Sequence, residues 1–284
     1  MAILKTITLT AAVAGVVSAL PGNLTQLKTR SGVVKKGLAY NDGSITDLLY
    51  ADGSVSWAYN WGIYFAAPKF EQVPMIKFLN PKPNEIDIVM ERVKNKQAPW
   101  VMGYNEPDET TNNGGIAKSP REAYDAWGND MFRFNDAGAS LVCPGITSWE
   151  TTAGHVPNVP AGLTWLREFA SIGNNPSQFR CEAQNIHWYG NPDFNAMDQA
   201  NMFKEYVAHA HATINDIFRK EMPLWITEFA PLPRGNRDLM AQFLTIVVPW
   251  LEQQSYVARY SPFMAEDLVD NGARNAAGRA FVCL

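Results

Sequence analysis

Several things are scarce in this chain of 284 residues, and each scarcity removes a class of function. Only 18% of residues are charged and the net charge is −4. No long basic run is present, so nucleic acid and anionic membranes are not expected partners. The 3 cysteines, Cys143, Cys181 and Cys283, are too few for a disulfide framework, and their odd number leaves one thiol over. Histidine is rare as well. His155, His209 and His211 show no metal-ligand spacing, and the last two, on one predicted helix, do not face each other. No metal and no cofactor are expected. A Gly-x-Ser-x-Gly elbow is missing, which removes the Ser-His-Asp hydrolases. A glycine-rich turn after the first predicted strand is missing too, which speaks against an open phosphate-binding sheet. Low-complexity linkers, internal repeats and Ser/Thr-rich stalks are lacking, and no hydrophobic C-terminal tail suggests a lipid anchor. What remains is the expectation of one large α/β domain.

The N-terminus has the form of a targeting segment. Lys5 flanks an apolar stretch, Ile7 to Val17, that is too short to span a bilayer, and Val17-Ser18-Ala19 is a small-residue cleavage site. Residues 1–19 are therefore expected to be a signal peptide, with the domain occupying 20–284 and the protein secreted, extracellular or in a cell wall. The sequon Asn23-Leu24-Thr25 agrees with that route. Cys143 lies within an apolar strand and reads as a buried thiol. Cys181 and Cys283 lie near element ends, where they could pair.

Aromatic residues are plentiful: 9 Trp, 10 Tyr and 14 Phe. Most belong in a core, but the excess also suits stacking on the C–H faces of sugars. Eight apolar segments read as strands: Lys36–Asn41, Ser54–Gly62, Phe70–Leu79, Trp100–Tyr104, Leu141–Ile146, Ala183–Tyr189, Leu224–Phe229 and Tyr256–Tyr260. Their alternation is weak, as expected for strands covered on both faces. Helices are predicted between them, over about Asn84 to Lys96, Ser119 to Ala137, Gly162 to Ser171, Met197 to Arg219 and Arg237 to Gln254. The second of these has the clearest start: Ser119 as N-cap, Pro120 in the first turn and Glu122 closing a capping box. Eight strands alternating with helices predict a single (β/α)8 barrel.

Two strands end in a glutamate: Gly103-Tyr104-Asn105-Glu106-Pro107-Asp108 after the fourth, and Trp225-Ile226-Thr227-Glu228-Phe229 in the seventh. In a barrel both side chains reach one mouth. Paired carboxylates there suit glycoside hydrolysis, in which one protonates the leaving oxygen and the other meets the developing oxocarbenium ion. A single glutamate at a strand end is usually a loop carboxylate; two, with a His-Trp-Tyr strand end between them in sequence, are harder to dismiss. Asn105 is placed to hold a sugar 2-hydroxyl, and either His187 or Tyr189 to donate to Glu228. Asp108 reads more easily as a loop cap than as a catalyst.

The chain resembles glycoside hydrolase family 128, the alkali-sensitive-linkage type of catalytic domain. The matching pieces are Lys36-Gly37-Leu38-Ala39-Tyr40-Asn41, Trp57-Ala58-Tyr59-Asn60-Trp61-Gly62, Val73-Pro74-Met75, Gly103 to Asp108, His187-Trp188-Tyr189-Gly190 and Trp225 to Ala230. The resemblance implies retaining hydrolysis of β-1,3-glucan with Glu106 as acid/base and Glu228 as nucleophile. It also implies aromatic residues gripping the glucan, for which Tyr59, Trp61, Trp149, Trp188 and Tyr189 are the candidates. A monomeric, endo-acting β-1,3-glucanase is expected. The alternatives are a glucan-binding protein with weak turnover and a barrel glycosidase for a β-1,4-linked polysaccharide. Two places depart from the pattern, Lys77-Phe78 after the third strand and Ser148-Trp149 after the fifth, and both bear on how the cleft is lined.

Overall fold

Pairs of strands and helices alternate from residue 37 onward. The structure, a computed structural model, describes residues 34–51, 53–149 and 154–284; the predicted signal peptide and the Asn23 sequon lie outside the described residues. Eight strands carry the frame: β1 (Gly37–Ala39), β2 (Trp57–Tyr59), β3 (Glu71–Gln72), β4 (Trp100–Met102), β5 (Ser140–Val142), β6 (Gln184–Tyr189), β7 (Leu224–Ala230) and β8 (Val257–Tyr260). The helices are α1 (Thr46–Leu49), α2 (Pro83–Lys94), α3 (Pro120–Asp136), α4 (Gly162–Ser171), α5 (Ala196–Phe218), α6 (Arg237–Gln253) and α7 (Ala276–Cys283). Val33–Leu284 forms one compact unit.

The strands pair in parallel as β1-β2-β3, β4-β5 and β6-β7-β8. Parallel bridges tie these groups together: Met75 to Met102, Val142 to Ala183, Ile146 to Ile186, and Lys36 to Tyr260. The third predicted strand shrinks to two residues and a bridge, because Pro74 has no N–H to give to a ladder.

Two apolar layers separate cleanly. Ala39, Trp57, Tyr59, Val73, Met75, Met102, Val142, Ala183 and Trp225, one or two from nearly every strand, form one cluster. Alternate strand residues such as Leu38, Ala58, Val101, Leu141, Ile186 and Ile226 join the helices in a second, larger cluster. Strands buried on both faces explain the weak alternation of the sequence. Arg259, within β8, pairs bidentately with Glu71 at the start of β3 (2.8 and 3.0 Å). Its guanidinium lies 4.6 Å from the Trp225 ring centre and also within reach of Trp57 and Trp100.

Cysteine pairing differs from expectation. Cys143, at the end of β5, is bonded to Cys181, and Cys283 is free and exposed at the end of α7. Spacing alone could not choose between the two pairings, since β5 and the lead into β6 become neighbours only in the folded strand order. A small hairpin, β9 (Val269–Asp270) with β10 (Ala273–Arg274), and α7 follow β8. None of these was predicted. Among the described residues no helix is long and apolar enough to cross a membrane.

Candidate active site

The segment after β4 is held by close backbone approaches. A side chain on Gly103 would meet Trp127 at 2.5 Å, so glycine lets α3 press against the strand end. Tyr104 donates to Asp130 of α3 (2.7 Å), and Asn105 bridges to Gly145 after β5. Glu106 then takes φ +42°, a left-handed conformation that non-glycine residues adopt at a cost of ~1–3 kcal/mol. Its N–H donates to Gly145 O (2.9 Å) and its carbonyl accepts from Ile116 (3.1 Å). Two residues on, Asp108 accepts from Thr147 Oγ1 and from the Gly162 N–H at the start of α4, both at 2.7 Å. Asp108 is thus a buried loop clamp, the role its sequence position suggested.

Glu228 reaches the same place by a different device. Along β6 and β7 the register runs Ile186 to Ile226, then His187 to Glu228, with Thr227 as the extra residue. This bulge breaks the alternation. Ile226 and Phe229 both join the helix-facing layer, and between them Thr227 and Glu228 both turn to the polar interior. Tyr189 donates to Glu228 Oε2 and the Trp61 indole to Oε1, each at 2.6 Å. Trp61 also has a left-handed backbone, φ +55°. Tyr189 and Trp61 are in turn flanked by the Phe263 ring.

His187 links the two carboxylates. Its Nδ1 lies 2.7 Å from Glu106 Oε1 and 3.6 Å from Glu228 Oε1. Of the two residues expected to donate to Glu228, Tyr189 makes the bond and His187 turns to Glu106, because the bulge sets Thr227 under the ring and Glu228 beyond it. Nε2 meets Thr227 Oγ1 at 2.9 Å, and that hydroxyl donates to Asn185 Oδ1 (2.8 Å). Nε2 also lies 3.3 Å from Asn185 Nδ2, and Nδ1 shares a proton with Glu106.

The charges follow from this enclosure. Burial, then the nearby Glu228, push the Glu106 carboxyl up to about 7, against the lowering bond from His187. Burial alone would lower His187, but the charges of Glu228, Glu106 and Asp108 outweigh it and raise the imidazole. Burial, reinforced by Glu228, holds Tyr189 and Tyr59 far above the usual phenol range, so both remain donors.

One oxygen from each glutamate and one His187 nitrogen lie within 4.8 Å of one another, a spacing that a metal ion can bridge. The lone pairs are already engaged, however: both His187 nitrogens, Glu106 Oε1 and both Glu228 oxygens have hydrogen-bond partners. An ion would have to displace them, so the set fits a proton-sharing group better than a ligand set.

Of the residues singled out in the sequence, Glu106, Glu228, Asn105, His187, Tyr189 and Trp61 come together. Asn105 donates to Gly114 O (3.2 Å), and its Oδ1 is buried without a partner among the described residues, an acceptor facing unmet demand. Tyr59 and Trp188 depart from expectation. Tyr59 is buried beneath the site and donates to Thr227 O (2.9 Å), bracing the bulge rather than meeting a ligand. Trp188 points into the helix layer and stacks on Phe243 (5.7 Å) and against Phe203 (5.2 Å). Trp149 stands apart on the rim, half exposed and 5.3 Å from the His155 ring, which Glu109 holds at 2.6 Å. Asn185, Thr227 and Phe263 were missed. Two successive polar residues, Thr227-Glu228, inside an apolar strand were the available sign of the bulge.

Parallel strands alternating with helices bring two glutamates and a histidine together at the strand ends, an arrangement whose paired carboxylates suit glycoside hydrolysis. The sequence profile of the glycosyl hydrolase catalytic core matches residues 37–279, and the chain belongs to that family. Among solved structures it is similar to a curdlan-specific exo-β-1,3-glucanase of family 128, subgroup III, from Blastomyces gilchristii. That match has 26% identity and a TM-score of 0.73, covering 88% of this chain and 98% of the other. A subgroup II endo-β-1,3-glucanase from Sorangium cellulosum (24% identity, TM-score 0.67, 87% and 97% covered) shares the fold. So does a subgroup I endo-β-1,3-glucanase from Amycolatopsis mediterranei in complex with laminarihexaose (21%, 0.67, 88% and 99%). No curated protein sequence matches the chain.

Proposed function

We propose that this protein hydrolyses β-1,3-glucan with retention of configuration, Glu106 acting as acid/base and Glu228 as nucleophile. The observation that carries the reading is the closeness of the two carboxylates, whose facing oxygens lie within 4.8 Å of each other and of His187. Retaining enzymes bring the two carboxyl groups to about 5–5.5 Å; the nearest-oxygen spacing is in keeping with that class, and the anomer of the first product decides it. The similarity to family 128 glucanases supports the linkage.

Glu106, protonated near neutral pH, gives its proton to the glycosidic oxygen. Glu228, oriented by Tyr189 and Trp61, bonds to the anomeric carbon as the leaving chain departs. Glu106, now a carboxylate stabilised by His187, takes a proton from the water that releases the glycosyl group.

The strands make a closed (β/α)8 barrel in this reading, supported by the bridges that join β3 to β4, β5 to β6 and β8 to β1. Endo action is favoured by the exposed aromatics Tyr64, Phe78, Trp149 and Phe194. They follow four different strands on the side of the glutamates, more than a single terminal sugar needs. The enzyme works as a secreted monomer; the Cys143–Cys181 bond supports an oxidising compartment, as does the N-terminal segment after Lys5. The test is reducing-end release from laminarin, with the product anomer followed by NMR. First-formed α-anomer, or full activity in Glu228→Gln, would end the mechanism; release of glucose alone would end the endo reading.

A further inference from the structure

A cleft lies beside the segment that carries Glu106, since Ile116, one of its lining residues, donates its N–H to Glu106 O (3.1 Å). It has a volume of about 580 Å³ and is lined by Phe78, Asn80, Lys118, Glu122, Asp125 and Asn129, between the loop after β3 and the outer side of α3. That volume falls in the range of ligand-sized clefts. Its near edge touches the active-site segment, because the Asn105 N–H donates to Lys77 O (3.2 Å), one residue before Phe78.

Phe78 is 58% exposed, yet it is rigidly presented. Asn80 takes φ +52°, and its N–H donates to Asp130 Oδ2 at 2.9 Å. The same oxygen accepts from Tyr104 (2.7 Å), two residues before Glu106. One buried carboxylate thus fixes both the loop that carries Phe78 and the strand end that carries Glu106. The Lys77 ammonium, 5.5 Å from the ring centre, adds a second constraint. An exposed ring held in place loses little freedom when a ligand covers it.

The lining is that of a site for a neutral polyol. The ring face is negative and meets C–H groups well. The exposed amides of Asn80 and Asn129 each offer donors and an acceptor, and Arg121 engages only Oδ2 of Asp125. The charges here are paired, Lys118 with Glu122 (3.0 Å) and Arg121 with Asp125 (2.9 Å), which suits an uncharged ligand. We propose that this cleft is a distal binding site for the same β-1,3-glucan chain, in which Phe78 stacks on a glucosyl unit beyond those held at Glu106 and Glu228. The proposal rests on the function proposed above and adds a chain-length preference to it.

Long laminarin and laminaritriose, compared on wild type, Phe78→Ala and Asn129→Ala, provide the test, because on this proposal the longer chain fills the cleft while another of its units lies at the glutamates. Both positions are exposed, so the variants fold. Phe78→Ala should raise KM for the polymer about tenfold, as one lost stacking contact implies, with kcat unchanged and the trisaccharide unaffected. Asn129→Ala should shift the same way by less. A wild-type enzyme that cuts both while Phe78→Ala changes neither, or changes both alike, overturns the distal site alone. A protein that neither cuts nor binds either glucan overturns the function itself and this site with it.

Discussion

Glu106 combines a left-handed backbone with a carboxyl buried beside another carboxylate, so the residue is kept at a cost to the fold. That cost has a sign in pH. The folded pKa, about 7, stands above the ordinary 4.5, so between those values the folded protein holds a proton that the unfolded chain has lost. The associated stability is full below about pH 4.5 and is gone once the pH passes about 7. Glu106→Gln stays neutral throughout, and its melting temperature should exceed that of the wild type at pH 8 and match it at pH 4. Catalysis follows the same group. Since the acid must be protonated, kcat/KM should fall as pH rises through about 7, and His187→Ala, which removes the partner that stabilises the Glu106 carboxylate, should move that limb to higher pH. Glu228→Gln should lower kcat roughly a thousandfold or more with its circular dichroism unchanged.

Elements that announce their ends chemically were legible in the sequence. Ser119, Pro120 and Glu122 mark the start of α3, and both halves of the capping box are made; α4 runs over the predicted Gly162–Ser171. What could not be read was the direction of side chains in strands covered on both faces. His187 and Tyr189 turn toward the glutamates and Trp188 turns away, although all three are aromatic and adjacent. Polar Asn185 and His187 alternate with Ile186 and Trp188, but aromatic residues on both faces masked which side meets the ligand. The bulge at Thr227 was equally hidden, and with it the partner of His187. The two glutamates were legible as a pair: one carboxylate at a strand end is usually a loop residue, but two, with a His-Trp-Tyr strand end between them in sequence, are harder to dismiss. Close approach between β5 and β6 gives a prediction at this scale. A side chain on Gly145 would lie 2.6 Å from Asn185 Nδ2 and 3.0 Å from His187 Nε2. Gly145→Ala should therefore cut kcat at least tenfold by tilting the imidazole, while far-UV circular dichroism stays unchanged.

Across the whole molecule, the Cys143–Cys181 bond closes a loop with a sequence separation of 38 and fastens the end of β5 to the lead into β6. In the chain-entropy account such a loop stabilises by ~3–4 kcal/mol. Reduction, or a Cys143→Ser/Cys181→Ser double variant, should lower the urea midpoint accordingly while leaving Cys283 irrelevant to stability. The engaged lone pairs around His187 set a further expectation: dialysis against a strong chelator should leave the rate on laminarin unchanged, and a loss restored by a divalent ion would overturn the proton-sharing view of the three residues.

The extra residue in β7 acts as a ruler for depth. If Thr227 were deleted, regular alternation would resume and the carboxylate would drop into the place the hydroxyl now holds, about 3.3 Å further down the strand. It would lie against His187 Nε2, below the rings of Trp61 and Tyr189 that now hold it level with Glu106. The strand would keep its apolar faces and the chain could still fold, but the nucleophile would be out of reach of the sugar. A single-codon deletion therefore separates this catalytic arrangement from an inert one that keeps both glutamates.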